Sequence, residues 1–186
     1  MRILAIAGSL REESLNRRLL REAARLAPAG CEVSEWNRLG EVPPYHPDLD
    51  VDPVPAVVAD LRAAIGGSDA VLVATPEYNG SVPGVLKNAV DWASRPWPGN
   101  ALRGKPVAVI GATTGAFGAV WAQADLRRIL GITGARVLEA GLALPYADTA
   151  FDDAGRLIDP ARREELRTLL DALVAEAVAA ASRAAA

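Results

Sequence analysis

The sequence predicts an α/β fold: a doubly wound parallel sheet of five strands with helices on both faces. Three observations predict it. Short aliphatic runs alternate five times with longer segments of helical periodicity, the pattern of successive strand and helix units. Right-handed crossovers confine such a chain to a few topologies. The first and third runs each pass straight into a polar loop before their helix, so both loops leave the same edge of the sheet.

The first strand, RILAIA at 2–7, is too brief for a helix and rich in aliphatic residues. Gly8 and Ser9 follow, then a helix near 14–27 with Leu15, Leu19, Leu20, Ala23 and Leu26 on its apolar side, ended by Pro28 and Gly30. The second strand spans 31–36. The segment EVPPYHPDLDVDPVP at 41–55, rich in proline and aspartate, is a loop, either a border of the site or a plain surface crossover. A helix near 54–66 leads to the third strand, DAVLVAT at 69–75, which Pro76 ends by removing an amide donor. After a polar turn from Glu77 to Ser81, Pro83 fits the first turn of a helix at 83–94 whose buried face is Leu86, Val90 and Ala93. The remaining units are a strand at 106–111, a helix at 119–131, a strand at 136–143 and a helix at 160–182. The alanine-rich stretch 172–186 is expected to be a helix that frays into a tail.

At 186 residues and 51% apolar, the chain is large enough to bury about 70% of its extended surface as one domain over 1–186. A net charge of −3 argues against a nucleic-acid face, and no run of 18 apolar residues could span a membrane. Met1 leads directly into the first strand with no signal peptide, so a cytoplasmic location is expected. The lone cysteine, Cys31, reads as an inert thiol. The single histidine, His46, sits among prolines with no ligand spacing around it, so no metal site is expected. Lys87 and Asp91, four apart, read as a helical ion pair.

The first loop, GSLREESLN at 8–16, has the makings of an anion site. Unpaired amides at a helix N-terminus carry the positive end of the dipole, Arg11 adds charge, and Ser9, Ser14 and Asn16 offer donors. It lacks the lysine of a Walker loop and the three glycines of a dinucleotide turn, which favours a single terminal phosphate. On its own, the same loop is equally read as a helix cap at Ser14 beside a solvated Arg11.

The second loop, PEYNGSVPGVLKNAVDW at 76–92, and a third, TTGAFG at 113–118, change that balance. With them the chain resembles the NADPH-dependent FMN reductases, flavodoxin-like enzymes that include quinone, chromate and azo-dye reductases. The resemblance implies strand order 2-1-3-4-5 and a ligand at the switch point between strands one and three. It assigns Ser9, Arg11, Ser14, Leu15 and Asn16 to the FMN phosphate and Pro76, Glu77, Tyr78 and Asn79 to the flavin ring, with Thr113 and Gly115 opposite. Gly80, Gly115 and Gly118 would allow close backbone approach. It further implies NADPH or NADH as donor and a small-molecule acceptor such as a quinone, azo compound, flavin or metal oxyanion, served in turn at one site. No catalytic acid or base is assigned, and water and Tyr78 both stay open as proton source. A homodimer or homotetramer is implied. Trp92 and Trp97, with Pro96 and Pro98, are the expected partner surface, while Trp36 is expected under the sheet and Trp121 packed on its helix. Two other readings use the same fold: a flavodoxin-type electron carrier, and a non-enzymatic module that binds a phosphate ligand.

Overall fold

The computed structural model describes residues 1–185. Strands β1 (Arg2–Ala7), β2 (Glu32–Trp36), β3 (Ala70–Thr75), β4 (Pro106–Ala112) and β5 (Arg136–Leu144) alternate with helices α1 (Leu15–Leu26), α2 (Ala56–Gly66), α3 (Gly84–Ala93), α4 (Val120–Ile132) and α5 (Pro160–Ala185). All pairings are parallel, in the order β2-β1-β3-β4-β5.

The two-residue period of a strand divides the core into two layers. In β1, Ile3, Ala5 and Ala7 join Leu19, Leu20 and Ala23 of α1 and Leu166, Leu170 and Leu173 of α5. The intervening Leu4 and Ile6 join Val58 and Leu61 of α2, Leu86 and Val90 of α3, and Leu126 and Leu130 of α4. The three inner strands are buried on both faces, which is why they read as unbroken aliphatic runs. Every predicted element is present, with no end shifted by more than three residues.

Three local expectations are corrected. Helix α5 runs past its expected end at 182 to Ala185, because alanine is the strongest helix former, and its packing persists as far as Ala177. Ala186 lies outside the described residues. Trp92 is not on a partner surface. It is fully buried, its Nε1 donates to the Pro43 carbonyl at 2.8 Å, and its ring meets Tyr45 edge-on at 4.9 Å. The 41–55 segment is what covers it, so α3 buries a second side. Trp121 is not packed away but half exposed, against Phe117 at 4.9 Å. Trp36 is buried as expected, with its Nε1 donating to Asp60 at 2.8 Å.

The 41–55 segment is fastened to α3. Asn88 accepts from the Tyr45 amide at 2.7 Å and donates to the Pro43 carbonyl at 2.9 Å. Asp50, largely buried, accepts from Arg62 at 2.8 Å and Arg95 at 3.0 Å. Burial alone would raise its pKa, but those two guanidinium hydrogen bonds outweigh it and hold the carboxyl below its ordinary value.

Candidate active site

β1 continues through α1 to β2 on one side and β3 through α3 to β4 on the other, so the loops after β1 and β3 diverge and open a crevice. The crevice needs a glycine at its floor. The Gly8 amide donates to the Ala74 carbonyl at 2.8 Å, and a Cβ on Gly8 would stand 2.8 Å from Leu86 Cδ2 and 3.2 Å from Pro76 Cδ. Any side chain there would push the two loops apart.

On the α1 side, the buried Ser14 caps the helix, its Oγ accepting from the Arg17 amide at 3.2 Å. The first-turn amides of Leu15 and Asn16 keep no protein acceptor. Ser9 is buried beside them and Arg11 stands exposed at the lip. Asn16 is used differently from its expected role. Its Nδ2 donates to the Ala112 carbonyl at 2.9 Å and its Oδ1 accepts from the Ala112 amide at 3.0 Å. The side chain therefore rivets α1 to the end of β4, and only the backbone amide of Asn16 is left for the cleft.

On the opposite side, Tyr78 and Ser81 pair through 3.1 Å and 3.2 Å backbone hydrogen bonds, closing a two-residue hairpin. Its central residues are Asn79 (φ 53°) and Gly80 (φ 74°), the left-handed pair that an Asn-Gly turn favours. Asn79 thus shapes the turn and does not line the cleft. Glu77 anchors the hairpin: its Oε2 accepts from the amides of Trp121 and Ala122, each at 3.0 Å. Helix α4 starts after Ala119, which has no side chain able to cap it, so a carboxylate from a different loop takes that place. Ser81 Oγ adds a 2.7 Å bond to Asp125 on the same helix.

The third loop closes the end of the cleft. Thr113 accepts from the Ala147 amide at 2.9 Å and Gly115 from the Tyr146 amide at 3.2 Å, tying 113–118 to the segment after β5. Gly118, at φ 58°, passes so close to β5 that a Cβ would lie 2.6 Å from the Ala143 carbonyl carbon. The cleft is lined by Ser9, Arg11, Ser14, Leu15, Asn16, Pro76, Glu77, Tyr78 and Thr113, together with Ala112 and Thr114. Asn79 and Gly115 hold the loops and stand outside the lining. Ala112 escaped the sequence reading because the end of β4 carries no polar spacing that would distinguish it from the rest of the strand, whereas Thr114 lies in the TTGAFG loop beside the assigned Thr113.

Residues 1–149 match the family described as NADPH-dependent FMN reductase. The chain belongs to that family. It is 42% identical over 174 residues to an NAD(P)H-dependent FMN reductase of Pseudomonas aeruginosa, covering 93% of each chain. A 2-hydroxy-1,4-benzoquinone reductase of a Burkholderia species is 36% identical over 172 residues, covering 92% of this chain and 93% of that one. Among solved structures, the flavoenzyme NAD(P)H:(acceptor) oxidoreductase FerB of Paracoccus denitrificans superposes with a TM-score of 0.86 at 37% identity, covering 95% and 96%. As a member of the FMN reductase family, the chain is an oxidoreductase that works with FMN and NAD(P)H. No described helix is long and apolar enough to cross a membrane, and no described cluster of side chains could hold a metal ion.

Proposed function

We propose that this FMN reductase passes electrons from NAD(P)H to quinones, azo compounds, free flavins or metal oxyanions such as chromate, donor and acceptor occupying one cleft in turn. The observation that carries the reading is the convergence of all three polar loops on a single crevice between β1 and β3. The residues there fit FMN. The Leu15 and Asn16 amides at the positive end of α1, with the Ser9 and Ser14 hydroxyls and the Arg11 guanidinium, are a donor set suited to one phosphate. Pro76, Glu77, Tyr78 and Thr113 would flank the ring, with Asn79 and Gly115 fixing the loops that carry them. The chemistry FMN supplies when bound is two-electron transfer between nicotinamide and acceptor.

The chain's own residues bind and orient. The hairpin and the 113–118 loop both border this one crevice, which supports a reading in which the oxidised nicotinamide leaves before an acceptor enters. The enzyme is further proposed to be one cytoplasmic domain over 1–186, assembled as a homodimer or a homotetramer. Trp97, exposed beside Val90, Ile129 and Ile132, supports such a contact. Steady-state rates of the FMN-loaded protein, varied in NADPH or NADH at several naphthoquinone concentrations, should give parallel double-reciprocal lines. Intersecting lines would require a separate nicotinamide pocket.

A further inference from the structure

Five aromatic side chains among the described residues are exposed, and four of them stand on the loops that form the cleft or on segments bonded to those loops. Tyr78, 50% exposed, lines the cleft. Phe117 at 62% and Trp121 at 50% stand on the third loop and the first turn of α4. Tyr146, at 58%, follows β5. They come from three separate segments, so no single run of sequence explains their meeting. Each is held at its root. The Trp121 amide is bonded to Glu77, a cleft residue, and the Tyr146 amide to Gly115. Phe117 and Trp121 pack on each other at 4.9 Å and keep their outer faces free.

From this collar, and resting on the flavin reading above, we infer that Phe117 and Trp121 are specificity-determining residues that favour acceptors with a flat ring over compact ones. Fixed aromatic faces offer stacking area at little entropic cost, which rewards a planar molecule and gives a compact ion nothing. Charge does not decide the matter: Glu77 and Asp125 stand on the Trp121 side, but Arg128 pairs with Asp125 and Arg162 lies beside Tyr146, so the selection rests on the aromatic faces themselves. The collar also continues directly into the cleft through Tyr78 and Glu77, where a surface reserved for another protein would need no such continuity.

The test uses naphthol, a flat ring that accepts no electrons, titrated by calorimetry into FMN-loaded protein without NAD(P)H. The double variant Phe117→Ala with Trp121→Ala should weaken naphthol binding about 10-fold and raise the KM for naphthoquinone by a similar factor. FMN affinity, and turnover with ferricyanide as a compact acceptor, should stay at the wild-type level. Trp121→Phe alone should restore most of the binding. Equal losses toward naphthoquinone and ferricyanide would overturn the inference, as would a loss that appears together with dissociation into smaller species on sedimentation, which would mark the collar as a subunit contact. A wild-type chain that takes up no FMN would overturn the flavin reading and this inference with it. A variant that loads FMN normally and binds naphthol as tightly as wild type would overturn this inference alone.

Discussion

Removing the Glu77 carboxylate should loosen the flavin-side hairpin and uncap α4 in one step. The side chain accepts from two first-turn amides at 3.0 Å each, and Ala119 offers no substitute. Loss of a cap costs about 0.5–2 kcal/mol, and loss of a negative charge near a helix N-terminus about 0.3–1 kcal/mol more. Glu77→Ala should therefore destabilise the fold by about 1–3 kcal/mol. For a chain of this size that lowers Tm by about 2–12 °C. Glu77→Gln keeps an acceptor oxygen and loses only the charge, so it should fall between the two. Calorimetric melting of the FMN-free proteins reads this order directly, and fluorescence titration reads whether FMN affinity declines in the same order as the hairpin loosens. If the alanine variant melts with wild type while the glutamine variant does not, or if all three coincide, the capping argument is wrong. The part due to charge should shrink in high salt, whereas the hydrogen-bonded part should persist.

Arg11→Ala should weaken FMN binding by about 10- to 150-fold, the value of one charged partner to a phosphate, with little change in melting temperature because the side chain is exposed; unchanged affinity would remove Arg11 from the phosphate site. Asp50→Asn should destabilise the protein by about 1–3 kcal/mol at neutral pH, by weakening the partners of Arg62 and Arg95. Since the folded carboxyl titrates below its unfolded value, its contribution is present above about pH 4 and fades as pH falls through the folded value. Urea melts from pH 7 down to pH 3 should show the gap to wild type closing; a constant gap would deny the ion pair its role. Trp97→Glu should place like charges in a two-fold contact and shift sedimentation toward the monomer; an unaltered assembly would place the contact elsewhere.

The alternation of runs was enough to predict the sheet and its helices, because burial on both faces leaves a mark on every residue of an inner strand. Leu4 and Ile3 face different layers, yet both must be apolar. The three polar loops were equally legible, since a strand that ends in Gly8 or Pro76 announces a turn before its helix. By itself, then, the sequence determined the fold class, the edge at which chemistry gathers and most of the lining of the cleft. What it could not determine was the direction in which individual polar and aromatic groups are used. Asn16 and Glu77 both looked like ligand groups; tertiary contacts made one a rivet to Ala112 and the other the cap of a helix 43 positions away in the chain, counted from Glu77 to Val120. Trp92 and Trp121 looked like a surface group and a packed one, and their fates were exchanged. Helical phase within α3 left Trp92 on a side that the distant 41–55 segment covers, and Trp121 sits half exposed in the first turn of α4, its amide bonded to the cleft residue Glu77. Periodicity records whether a position is buried against its own layer of the sheet. It carries no information on which remote segment arrives to satisfy a hydrogen bond or to leave a ring bare, and that is settled only when the chain closes on itself.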